Sequence, residues 1–293
     1  MLSVRSLSRR RVILSGAALA TSAIVGPRRL LAAADLESKL RFGMVTYLWG
    51  KDMTLPELLN QCTVAGIGGV ELRTEHAHGV EPTLSKAERR DVRNRFAESP
   101  VELVGYGSNC EYHSDDANRV KANIEQTKQY IRLMHDCGGT GVKVKPNGFS
   151  KGLSREKCIV QIGESLNEVA AYGEQYGQKI RLEVHGKGTS ELPVIREILQ
   201  TATHPNLFVC WNSNLVDLEG QGLEKNFEMV KSRLGDTVHV RQLDLGDYPY
   251  PQLIELLKSA AFQGWILLEA HSNPENKVKA MIQQREVAER LIG

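Results

Sequence analysis

Lys179-Ile180-Arg181-Leu182-Glu183-Val184-His185-Gly186 is the segment from which the fold can be read. Its β-rich run ends on an acid and an imidazole. Residues two apart in a strand face the same side, so Glu183 and His185 share one face. A short polar loop follows, and then a helical pattern. The same unit recurs along the chain. Strands are predicted at 41–46, 69–73, 101–106, 141–145, 179–184, 207–211, 237–242 and 265–269, with helical patterns between them. Thr54-x-x-Glu57 and Ser85-x-x-Glu88 have the spacing of capping boxes. Gly138-Gly139, Gly177, Gly235 and Gly264 stand where helices are expected to stop. Strands alternating with helices imply parallel pairing through right-handed crossovers. Eight such units predict a single (β/α)8 TIM barrel of the α/β class over residues 40–292. An open doubly wound sheet is the rival, but no GxGxxG or P-loop follows the first strand.

The connections after the strands, at 76–82, 107–114, 146–153, 186–190 and 244–251, are longer than those after the helices. That asymmetry predicts an active site at the carboxyl ends of the strands. Apolar runs such as Ile180-Leu182 and Ile266-Leu267-Leu268 are expected to fill the barrel interior. Six of the strands then end in a polar pair at i, i+2: Glu71 with Arg73, Lys143 with Lys145, Glu183 with His185, Asn212 with Asn214, His239 with Arg241, and Glu269 with His271. Ionisable groups are costly to bury unpaired, so six strands ending this way argue for a common cavity. Glu183, His239 and Glu269 can hold a divalent cation through oxygen and nitrogen; Mn²⁺, Co²⁺, Zn²⁺ and Mg²⁺ all suit them. Such an ion polarises a carbonyl and acidifies the adjacent C–H, and a carboxylate or lysine moves the proton. Lys143 and Lys145 are placed to bind anionic oxygen or steady an enediolate. Tyr47, Trp49, Tyr106 and Trp211 are expected to offer flat faces to a sugar ring. Glu71, Arg73, His76, His78, His185, Asn214, Arg241 and His271 complete the expected substrate-binding tier.

The amino-terminal segment reads differently. Ser8-Arg9-Arg10-Arg11-Val12-Ile13-Leu14 has the twin-arginine form, a weakly apolar run follows, and Ala32-Ala33-Ala34 offers small residues for cleavage. A cleavable signal peptide over 1–34 and a periplasmic location are therefore expected, with no stable membrane anchor. Those residues hold six arginines and no acid, leaving 31 basic against 35 acidic residues beyond them, about −4. A mildly acidic chain does not suit nucleic acid as a partner. Cys62, Cys110, Cys137, Cys158 and Cys210 form no CxxC pair, which argues against a disulfide framework or a thiolate zinc site. The rigid Tyr248-Pro249-Tyr250-Pro251 is expected to cap either the pocket or a neighbouring subunit, leaving a homo-oligomer open.

From about residue 40 to 291 the chain resembles the xylose isomerase-like TIM barrels, a superfamily of sugar phosphate isomerases and epimerases that includes AP endonucleases. The resemblance is carried by Gly69-Val70-Glu71-Leu72-Arg73, Arg181-Leu182-Glu183-Val184-His185-Gly186, Cys210-Trp211-Asn212-Ser213-Asn214, Val238-His239-Val240-Arg241 and Leu267-Leu268-Glu269. It implies a metal held by Glu183, Asn212, His239 and Glu269, with the two glutamates as paired proton movers and His185 on substrate oxygens. Asn212 departs from the family's usual Asp. An amide oxygen can coordinate a hard cation but brings no charge.

These residues suit a metal-dependent isomerase or epimerase acting on a ketose or related carbohydrate. The alternative readings are a 3-keto-glycoside lyase sharing the same first proton transfer, and a non-catalytic carbohydrate-binding barrel. No phosphate loop follows the seventh or eighth strand, so a neutral sugar, keto-sugar or glycoside is the expected ligand. A three-zinc endonuclease would need more His and Asp ligands, and a basic face.

Overall fold

Each apolar run between the Gly- and Asn-rich loops forms one strand, and the eight strands pair in chain order. They are β1 (Lys39–Val45), β2 (Gly69–Arg73), β3 (Glu102–Glu111), β4 (Gly141–Lys145), β5 (Lys179–Glu183), β6 (Leu207–Asn212), β7 (Leu234–Val240) and β8 (Gln263–Leu268). All the pairings are parallel, and β8 returns to β1 through six paired positions, Lys39 opposite Gln263 to Met44 opposite Leu268. That closure excludes the open sheet. The computed structural model describes residues 39–293, so the signal segment expected at 1–34 lies outside the described residues.

Helices α1 (Leu55–Ala65), α2 (Lys86–Ala97), α3 (Ala117–Cys137), α4 (Arg155–Gln175), α5 (Leu192–Thr201), α6 (Leu223–Val230), α7 (Tyr250–Ser259) and α8 (Lys277–Ile292) follow the strands in turn. Both capping boxes form. The Glu57 carboxylate accepts from the Thr54 N–H at 2.8 Å, and that of Glu88 accepts from the Ser85 N–H at 2.7 Å. Gly138 and Gly177 end α3 and α4 with φ of 87° and 63°, the left-handed region open to glycine. Gly235 and Gly264, expected at helix ends, lie inside β7 and β8 instead. A Cβ on Gly264 would stand 2.3 Å from the Asp236 carbonyl oxygen, so this glycine permits close strand contact. β3 runs five residues beyond its expected end. Gly107 and Glu111 still pair with Lys143 and Lys145 across a register shift. Among the described residues, no helix is long and apolar enough to cross a membrane.

The apolar core lies outside the barrel, not within it. Ile180, Leu182, Val142, Val144, Ile266 and Leu268 pack in one cluster with helix residues such as Ile162, Leu166 and Met281. The alternate positions of the same strands point inward. There the apolar content is a small cluster of Val45, Val104, Trp265 and Leu267. Charged groups also occupy the interior, among them Glu71, Lys143, Arg181 and Glu183. Arg181, wholly buried, bonds Asp236 Oδ1 through Nε at 2.9 Å and the Thr140 hydroxyl through Nη2 at 2.6 Å. A Cβ on Gly105 would meet Arg181 Nη1 at 2.3 Å, so a glycine there leaves room for the guanidinium. All five cysteines are buried and free.

Burial would raise the Asp236 carboxyl, but Arg181 and Lys179 outweigh it and hold the group well below its ordinary value. A depressed carboxylate contributes stability above its unfolded pKa of about 3.9, and that stability is lost as pH falls through the folded value. Asp236→Asn leaves the Arg181 guanidinium buried without its counter-charge, an expected loss of about 3 kcal/mol or more. Urea unfolding at pH 7 should read that loss. The gap between wild type and variant should narrow progressively below pH 4.

Candidate active site

Inward-facing polar residues form the floor and walls of a cavity of about 330 Å³ at the carboxyl ends of the strands. That volume is at the small end of ligand pockets and suits one sugar unit. Eleven of the expected residues line it: Tyr47, Arg73, Lys143, Lys145, Glu183, His185, Asn212, Asn214, Arg241, Glu269 and His271. Ser213 and Leu215 complete the lining, and Tyr47 carries the Arg73 guanidinium 5.1 Å above its ring.

Glu183 is the most heavily engaged group. Lys143 Nζ lies 2.7 Å from its Oε2, with both side chains almost fully buried. Asn212 Nδ2 donates to Oε1 at 3.0 Å, an amide orientation assigned from the hydrogen-bond network. Burial would raise the Glu183 carboxyl, yet Lys143 and His239 hold it well below the usual carboxylate range. Burial likewise disfavours the Lys143 ammonium, but Glu183 beside it keeps that pKa above the ordinary value.

His239 sits one layer beneath, wholly buried between three acids. Its Nε2 is 3.3 Å from Glu71 Oε1, and its Nδ1 is 3.3 Å from Glu183 Oε1 and 3.9 Å from Glu269 Oε2. The distances to Glu71 and Glu183 are short enough for hydrogen bonds, but the directions are unsuitable, so among the described residues both ring nitrogens lack a hydrogen-bond partner. Burial opposes the charged ring, while Cys210, Glu71 and Glu183 favour it and raise its pKa well above the ordinary. Glu183, His239 and Glu269 each offer an atom within 4.8 Å of the others. An orphaned, buried imidazole nitrogen facing two carboxylates is a donor set that fits a divalent cation.

Glu269 is held loosely by comparison, with Arg73 Nη1 at 3.7 Å from Oε1. His185 is oriented by a relay that the sequence did not disclose. Its Nδ1 lies 3.0 Å from Asn147 Oδ1, and the Asn147 amide donates to Glu111. Asn147 adopts φ 58°, and a Cβ on Gly186 would collide with its backbone at 2.5 Å. Because the Asn147 amide N–H is committed to Glu111, its oxygen accepts from His185, and the proton of a neutral imidazole sits on Nδ1.

Other expected residues lie elsewhere. Glu71 is completely buried and backs His239 from below, away from the cavity. His76 and His78 brace the loop after β2: His76 Nδ1 meets the Thr46 hydroxyl at 3.0 Å, and His78 bridges the Arg73 carbonyl and the Val80 N–H. Burial pushes both imidazoles down to about 4. Trp49 is buried on the Ser272 carbonyl. Trp211 and Tyr106 occupy outward positions, packing on Phe227 of α6 and Tyr130 of α3. Tyr248 and Tyr250 are buried, Tyr248 donating to Asp217 Oδ2 and Tyr250 accepting from the Arg241 N–H, each at 2.9 Å, and neither lines the pocket.

A search of curated protein sequences finds no match. Solved structures similar to this chain include a 3-keto-D-glucoside 4-epimerase from E. coli, at TM-score 0.73 and 14% identity, covering 86% of this chain and 100% of that one. L-ribulose 3-epimerase is similar at TM-score 0.75 and 14% identity, with 87% and 95% covered. An IolI protein with a bound zinc atom is similar at TM-score 0.71 and 17% identity, with 87% and 98% covered. Residues 59–289 match the family described as the xylose isomerase-like TIM barrel. The chain belongs to that family.

Proposed function

We propose that this barrel is a divalent-cation-dependent carbohydrate isomerase or epimerase that moves a proton on a carbon beside a carbonyl. The observation that carries this reading is the convergence of Glu183, Glu269 and the unpartnered His239 Nδ1 on one edge of a sugar-sized cavity. Glu183, His239 and Glu269 would hold the ion, with Asn212 as a neutral fourth group. When bound, a divalent cation polarises the substrate carbonyl and acidifies the neighbouring C–H.

The two glutamates are not equivalent. Lys143, Asn212 and His239 all stabilise the Glu183 anion, which suits holding charge and makes it a weak base. Among the described residues Glu269 has only Arg73 at 3.7 Å and His239 at 3.9 Å as ionic partners, so it is the group free to take the proton. Lys143 donates toward developing enolate oxygen, and His185 presents an unprotonated Nε2 to a substrate hydroxyl. Delivery of a different proton to the same carbon from the opposite face, by a second donor, gives epimerisation; return of the proton held by Glu269 to the adjacent carbon gives isomerisation. Incubation of Mn²⁺-loaded protein with a panel of ketoses in D₂O should place deuterium on a carbon beside the carbonyl, read by NMR. The absence of wash-in from every ketose would overturn the assignment.

A further inference from the structure

We propose that the pocket takes a carbohydrate bearing a carboxylate, received by Arg73 and Lys145 on the wall formed by β2 and β4. The inference deepens the proposed function and rests on its carbohydrate site. Four cationic side chains line the cavity, Arg73, Lys143, Lys145 and Arg241, against two carboxylates, Glu183 and Glu269. Lys143 is taken up by Glu183 at 2.7 Å, and Arg241 by Asp247 at 3.0 Å. Arg73 reaches Glu269 only at 3.7 Å, and among the described residues Lys145 forms no ion pair.

What brings these two cations together is one neutral atom. Asn109 Oδ1 accepts from Arg73 Nη2 at 3.1 Å and from Lys145 Nζ at 3.3 Å. Among the described residues, the buried Arg73 Nε has no hydrogen-bond partner. Two like charges drawn to a single amide oxygen repel one another, and an anion between them relieves that repulsion. Lower in the same barrel the guanidinium of Arg181 has a carboxylate of its own, Asp236. At the mouth the counter-charge is left to the ligand. A cation held by Glu183, His239 and Glu269 would enlarge the positive excess. The ligand's two ends are thereby told apart: its carbonyl faces the β5–β8 carboxylates while its acid group faces β2 and β4.

Carboxylate fits better than phosphate. Barrels that bind phosphate use backbone N–H groups at glycine loops and helix ends. The lining here contains no glycine and no first turn of an α-helix.

Titration calorimetry of the full chain with matched probes tests this: D-glucuronate against D-glucose, 5-keto-D-gluconate against D-fructose, and D-fructose 6-phosphate. Each acid is expected to bind at least about tenfold more tightly than its neutral counterpart. Lys145→Gln and Arg73→Gln, checked for an unchanged fold by circular dichroism, are expected to abolish that preference, bringing each acid to within about threefold of its neutral counterpart in the same variant. Equal affinities, an acid preference surviving in Lys145→Gln, tighter binding of the phosphate, or no binding of either acid would each overturn the proposal. The readout is binding alone. Tight acid binding without deuterium exchange would sink the proposed function and leave this subsite standing; exchange confined to neutral ketoses would do the reverse.

Discussion

Glu269→Gln is expected to slow deuterium exchange by about 10²- to 10⁴-fold, the usual contribution of a positioned general base. The barrel's thermal midpoint should hardly move. The reasoning lies in how little holds this carboxylate: its nearest ionic partner is Arg73 at 3.7 Å, and it retains slight exposure to the cavity. Glutamine keeps the volume and an oxygen but cannot accept a proton at neutral pH. NMR of the exchanged carbon gives the rate, and a dichroism melt gives the midpoint. Exchange within threefold of wild type would move the base to another group, with Lys143 or His185 next in line.

Lys143→Met should produce the largest change in stability. The wild-type pair is buried at 2.7 Å, and removing the ammonium leaves the Glu183 carboxylate in the barrel without its main counter-charge. Breaking such a pair costs about 3–5 kcal/mol. At about 2–4 °C per kcal/mol for a domain of this size, the midpoint should fall by roughly 6–20 °C. The same substitution frees Glu183 Oε2 for an ion, so added Mn²⁺ should restore much of the loss and bind the variant more tightly than wild type. A destabilised variant that Mn²⁺ does not rescue would show that Lys143 does not compete for the cation site.

Much of this arrangement was legible because period two and terminal polarity are local properties. Glu183 with His185, or Lys143 with Lys145, announces a shared face from sequence spacing alone, and eleven of the expected residues do line one cavity. The face itself was misjudged. Ile180 and Leu182 were expected inside the barrel and pack against the helices, because the inward positions belong to Arg181 and Glu183. The Arg181–Asp236 pair that makes this tolerable joins residues 55 apart, beyond any local pattern. β3 outruns its expected end because Gly107, Ser108 and Asn109 have loop composition, while pairing with β2 and β4 extends this stretch. Gly235 and Gly264 read as helix stops because a sequence does not disclose how near the next strand will come. His76 and His78 show the same limit for function. A loop-bracing imidazole and a substrate-binding one have identical letters, and the hydrogen bonds to Thr46, Arg73 and Val80 tell them apart. Asn147 carried one faint sign, an Asn before Gly148 in a turn, but its link from Glu111 to His185 spans three separate segments.

The central claim is that Glu183, His239 and Glu269 hold a divalent cation, and calorimetric titration of the full chain with Mn²⁺ near pH 7 tests it most directly. The expected result is saturable binding of one ion per chain in the wild type, lost in the Glu183→Gln/Glu269→Gln double variant. Wild-type protein that takes up no Mn²⁺, or a double variant that binds it as well as wild type, would contradict the account.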